Sequence, residues 1–126
     1  MRRSSLRRPG TSMELEAIVG QELSAVEFVQ DFLQLRFEGP VVSFFEWPDV
    51  FREEGSYAFG EPEYRNVLCA VIGESVSAAS VEEGEAIEIE FENGVTVRAS
   101  LRLEDISGPE GGSISYTDGS GEILSF

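Results

Sequence analysis

Between residues 22 and 37 the chain alternates apolar and polar side chains with a period of two. Val26 and Phe28 are interleaved with Ala25 and Glu27. Leu33, Leu35 and Phe37 are interleaved with Gln34 and Arg36. That period belongs to a strand with one buried face. A two-residue turn at Gln30-Asp31 pairs Phe28 with Leu33 and Val26 with Leu35, and sets Glu27 opposite Gln34. A slip of one residue would mix apolar with polar on both faces, so the pattern selects its own register. Gly39-Pro40 breaks or bulges the chain. A strand is expected from Val41 to Trp47, ended by Pro48, and a loop over residues 48–61.

The period then changes. Tyr64, Val67, Leu68, Val71 and Ile72 recur at helical spacing, with Pro62 suited to a first helical position and Gly73 to a C-terminal stop. This predicts a main helix near 62–72. Cys69 falls inside it and reads as a small packed thiol. Residues 74–103 read as three strands: one carrying Val76, Ala78 and Val81, a turn at 82–85, then Ala86–Phe91 and Val95–Leu103. A three-residue loop at Glu92-Asn93-Gly94, with Gly94 left-handed, sets Ile89 against Val97, Ile87 against Ala99 and Glu88 against Arg98. A two-residue loop would face Ile89 to Arg98. Residues 14–19 fit either a short helix or a lead-in stopped at Gly20. A short strand at Ile114–Tyr116 sits in a Gly-rich connection, and Ile123, Leu124 and Phe126 suggest a closing strand. The expected fold class is α+β: a mainly antiparallel sheet of about six to eight strands, in hairpins and a meander, packed against the one main helix.

Composition narrows what such a domain can do. The 126 residues carry a net charge of −15 and 41% hydrophobic residues, which suits one globular domain. All nine basic residues are Arg, and there is no His. Without His, Ser-His-Asp and Cys-His nucleophilic arrangements cannot be built. One Cys allows no internal disulfide and no thiolate metal cluster. No stretch approaches the roughly 20 apolar residues of a membrane span. So acidic a surface repels nucleic acid and attracts basic proteins. We therefore expect no enzyme activity, no cofactor, no metal, no nucleic-acid or membrane partner, and a cytoplasmic location.

The charge is also unevenly placed. Arg2, Arg3, Arg7 and Arg8 lie in residues 1–12, which read as a disordered basic tail, a start-site extension before Met13. Residues 13–126 form the expected single domain and hold the other five Arg and all 24 acids, a net −19. Arg usage without Lys suggests a GC-rich bacterial genome.

Three constellations stand out. Glu82, Glu83, Glu85, Glu88, Glu90 and Glu92 crowd the second hairpin and read as a solvated sheet face, or as a surface for a basic protein. Seven of the 13 aromatics (Phe44, Phe45, Trp47, Phe51, Tyr57, Phe59 and Tyr64) fall within residues 44–64, among Glu46, Asp49, Glu53, Glu54 and Glu61. Some must be core; aromatic anchors with an acidic rim also suit an interface for a basic partner. Alternating oxygen-bearing residues at Asp118, Ser120 and Glu122 resemble part of a calcium loop, but the full pattern is absent and a Gly-rich turn is expected. The candidate partner-binding residues are Trp47, Asp49, Phe51, Glu53, Glu54, Tyr57, Glu88 and Glu90.

The order Gly20-Gln21-Glu22, Phe32-Leu33-Gln34-Leu35-Arg36-Phe37 with Gly39-Pro40, Tyr64-Arg65-Asn66-Val67-Leu68-Cys69 leading to Ile72-Gly73, Phe91-Glu92-Asn93-Gly94 and Gly108-Pro109-Glu110 resembles a group of short, uncharacterised bacterial proteins. Small domains of similar layout look like immunity proteins of bacterial polymorphic toxin systems. That resemblance implies a non-enzymatic binding protein that neutralises a basic toxin domain by steric and electrostatic blockade, and it transfers no catalytic residue. The alternatives are a small-ligand or regulatory domain using a pocket between helix and sheet, and a carboxylate-based enzyme or divalent-metal binder.

Overall fold

The computed structural model describes residues 13–106, 108, 110–116 and 124–126. The basic tail at 1–12 and the calcium-like spacing at 118–122 lie outside the described residues. The first helix, α1 (Met13–Glu16), is followed by a hairpin of β1 (Ala25–Val29) and β2 (Phe32–Arg36), then β3 (Pro40–Phe44), β4 (Asp49–Arg52) and β5 (Gly55–Tyr57). The second helix is α2 (Tyr64–Cys69). After it come β6 (Val76–Glu82), β7 (Ala86–Phe91), β8 (Thr96–Ser100), a 3-10 turn at Leu103–Asp105, β9 (Gly112–Tyr116) and β10 (Leu124–Ser125).

The strands form two antiparallel five-stranded sheets, in the orders β1-β2-β3-β9-β10 and β5-β4-β8-β7-β6. Leu33, Leu35, Val42, Phe44 and Ile114 from the first sheet join Val50, Ile87, Ile89, Val97 and Ala99 from the second in one contiguous buried core. The fold is thus α+β and mainly antiparallel sheet with one main helix, as the pattern predicts, but among the described residues ten strands are divided between two sheets. The apolar faces of both sheets line that one core, together with Leu15, Ile18 and Leu23 near the start of the described chain and Tyr64, Val67, Leu68 and Val71 in and after α2. Helix α2 spans six residues, about 9 Å at the helical rise. Its buried side chains are Tyr64, Val67 and Leu68, and it meets β1 and β4. So short an apolar face cannot cover the stripes of two sheets.

Both hairpin registers match their patterns. Val26 faces Leu35, Glu27 faces Gln34, Phe28 faces Leu33, and Val29 faces Phe32 across the Gln30-Asp31 turn. Ile89 faces Val97, Ile87 faces Ala99 and Glu88 faces Arg98. Gly94 has φ +93 and donates to the Phe91 carbonyl, while the Phe91 amide donates to Val95, which closes the three-residue loop.

Four local expectations are corrected. Residues 48–61 are not all loop: β4 and β5 form a hairpin there. Its inner face has only Val50 fully buried, with Tyr57 opposite and partly buried, so the alternation is too short to register. The third strand runs from Pro40 to Phe44 and not to Trp47; the Phe45 amide still donates to the Gly111 carbonyl in the register of the β3–β9 ladder, and the regular pairing goes no further. Ile72 is 44% exposed. The helix ends before it, and the Ile72 amide reaches only three residues back, to Cys69, which rotates position 72 off the apolar stripe; Cys69 itself is exposed. Finally, a bulge between Val76 and Ala78 reverses the phase of β6, so Ala79 and Val81 are buried and Ala78 is exposed.

Candidate functional site

The second sheet gathers residues that are far apart in the chain. Residues directly opposite each other on antiparallel strands share a face. Asp49 lies opposite Arg98, Arg98 opposite Glu88, and Glu88 opposite Ser80. One row further, Phe51 lies between Ser56 and Thr96, and Thr96 lies opposite Glu90. The partners on either side in sequence, Val50, Val97 and Ile89, are buried, so these two rows form the outer face. Asp49, Phe51, Glu88 and Glu90 are thereby brought together. Phe51 is 38% exposed and is the large apolar side chain of that face.

Beside Phe51 a groove of about 570 Å³ runs between the β4–β5 turn and the β7–β8 turn, lined by Phe51, Glu53, Glu54, Asn93 and Thr96 among others. Glu53 and Glu54 stand in that turn. Glu54 accepts a hydrogen bond from the Tyr57 hydroxyl at 3.2 Å and pairs with Arg52 at 3.2 Å. Backbone hydrogen bonding, the Tyr57 hydroxyl and the Arg52 guanidinium hold its carboxyl below the usual range, so it is a fixed negative charge near neutrality. Arg98 turns to Glu88, at 2.8 Å, and Arg102 lies 3.6 Å from Glu85. Asp49 has no ion pair among the described residues. Partial burial, with the neighbouring Glu61 carboxylate, pushes its carboxyl up.

The remaining candidates lie elsewhere. Tyr57 is opposite Val50, and its ring packs partly against the core. Trp47 stacks on Phe59 with centroids 4.2 Å apart and on Phe28 at 6.5 Å, and it also packs against the core. Phe59 meets Tyr64 edge-on at 5.8 Å, and the Arg65 guanidinium carbon is 5.9 Å from the Phe28 centroid. These stacked rings make a second aromatic locality, next to α2. Sequence spacing did not single out Phe28 or Arg65 as part of it, because Phe28 reads as an ordinary inward residue of β1 and meets Trp47 only through the tertiary fold. Of the other clustered aromatics, Phe44 and Tyr64 are buried, and Phe45 is partly exposed against Phe32.

Among the described residues no group of three or more His, Cys, Asp or Glu is placed to hold a metal ion, and no helix is long and apolar enough to cross a membrane. Comparison with known proteins finds no matching family model, no matching curated protein and no matching solved structure.

Proposed function

We propose that this chain is a non-enzymatic binding protein whose outer β4–β8–β7 face docks a basic protein partner, in the manner of an immunity protein that caps a toxin domain. The observation that carries the reading is the convergence of Asp49, Phe51, Glu88 and Glu90 on one exposed face, with Glu53 and Glu54 at its rim. An exposed aromatic with carboxylates on the same face supplies an apolar anchor and charged acceptors for Arg or Lys side chains. The net charge of −15 would steer a cationic partner toward the domain, and the fixed charges would set its orientation. Blockade would be steric and electrostatic, with no covalent step.

The test is co-purification and kinetic binding with the protein encoded next to this gene. Wild type should associate faster at 50 mM than at 300 mM salt, and the combined variant F51A with E88Q and E90Q should weaken binding tenfold or more while its melting curve stays cooperative. Association indifferent to salt, or unchanged in that variant, would reject the reading.

A further inference from the structure

The described arginines divide unevenly. Arg36, Arg52, Arg98 and Arg102 each have a carboxylate within 4.0 Å, namely Glu27, Glu54, Glu88 and Glu85. Arg65 makes no such ion pair among the described residues and lies over the Phe28 ring. The carboxylates next to it in the chain are engaged locally: Glu61 accepts from the Ala58 amide and Glu63 from the Asn66 side chain. In a domain with 24 acids, a guanidinium without a carboxylate partner keeps its forked donors for another acceptor.

Arg65 also lines a hollow of about 160 Å³ with Phe28, Val29, Gln30, Trp47 and Phe59. Among the described residues no carboxylate lines it. Its walls are three aromatic rings, two of them stacked 4.2 Å apart, and its charged group is a cation. Phe59 is 50% exposed, so part of it is open to solvent beside the hollow. The volume is comparable to the ~150 Å³ apolar cavity that admits one benzene ring. One planar ring against the aromatic wall, with an anionic group toward the guanidinium, satisfies both features.

We propose that the hollow between the β1–β2 turn and helix α2 is a binding site for a small planar carboxylate carrying a single aromatic ring. Phe59 and Trp47 hold the ring and Arg65 receives the carboxylate. The site is separate from the acidic sheet face, so either reading can fail without the other.

Because the chain has one Trp, its indole N–H gives one isolated NMR resonance at the site. The full chain is titrated with benzoate, and with benzyl alcohol as an uncharged counterpart. The expected result is a saturable shift of the Trp47 indole signal with benzoate, binding at least roughly tenfold weaker for benzyl alcohol, and a similar loss in R65Q. F59A should also abolish the shift; R65K, which keeps the charge and loses the fork, should be intermediate. Each variant is checked for an unchanged melting curve. No saturable shift with benzoate, equal binding of benzyl alcohol, or full retention of benzoate binding in R65Q would overturn the proposal.

Discussion

The buried Tyr64 hydroxyl donates a hydrogen bond to the carbonyl of Pro48. This single bond joins the first turn of α2 to the residue that leads into β4, sixteen positions earlier. Replacing Tyr64 with Phe keeps the ring in the core but leaves the Pro48 carbonyl without this donor. The expected cost is about 1–3 kcal/mol, measured as a shift in urea midpoint.

Burial, with the nearby Asp49 charge, pushes the Tyr64 hydroxyl well above its ordinary value of 10.0. The folded state therefore resists an ionisation that the unfolded chain undergoes. Stability is fully present below pH 10 and falls as pH rises above it, since the unfolded state gains by releasing the proton. Urea unfolding at pH 9 and pH 11 should show this loss, and the loss should be smaller in Y64F.

Asp49 has the same direction of shift with a different consequence at neutral pH. Its folded carboxyl binds a proton more tightly than the unfolded one, so the charged form is a liability to the fold. D49N is expected to match or slightly exceed wild-type stability at pH 7. The advantage should disappear as pH falls through the folded carboxyl's titration, where wild-type Asp49 becomes neutral. Thermal melts across pH 3–7 check this; a clear loss of stability in D49N at pH 7 would contradict it.

Gly94 occupies a left-handed position, with φ +93, in open space. G94A should therefore cost about 1–2 kcal/mol through backbone conformation alone, without a steric clash. At Gly112 the reason is contact. A Cβ there would run into the Ser43 carbonyl oxygen and the Phe126 ring. Phe126 is held against this position by hydrogen bonds between its backbone and Gly111 and Gly112. G112A should displace the C-terminal strand from β9, seen as faster amide exchange at residues 112–114 together with a lowered melting temperature.

The exposed pair Glu88–Arg98 lies on the proposed docking face, and its loss should barely affect folding. E88Q is expected to change stability by less than about 1 kcal/mol, because exposed ion pairs contribute little. A larger loss in chemical denaturation would mean that the face serves folding.

The sequence by itself determined the two hairpins. Alternation around Gln30-Asp31 and around Glu92-Asn93-Gly94 admits one register each, since a slip of one residue exposes every apolar side chain of the strand. It also located the main helix through Tyr64, Val67, Leu68 and Val71. Tertiary structure decided what lay beyond local periodicity. The β4–β5 hairpin has Val50 alone fully buried, and it joins the sheet through the pairing of β4 with β8. The bulge in β6 changes phase without a Gly or Pro to mark it. The division into two sheets depends on β3 pairing with β9, about 70 residues on, and β4 pairing with β8, which no local pattern encodes. For the same reason the aromatic and acidic clusters were legible as composition but not as sites. Phe51 joins Glu88 and Glu90 through strand pairing, while Trp47, four residues earlier, joins Phe28, Phe59 and Arg65 on another part of the surface. Neighbours in sequence were separated, and distant residues brought together, because strand order is fixed by burying two apolar faces at once.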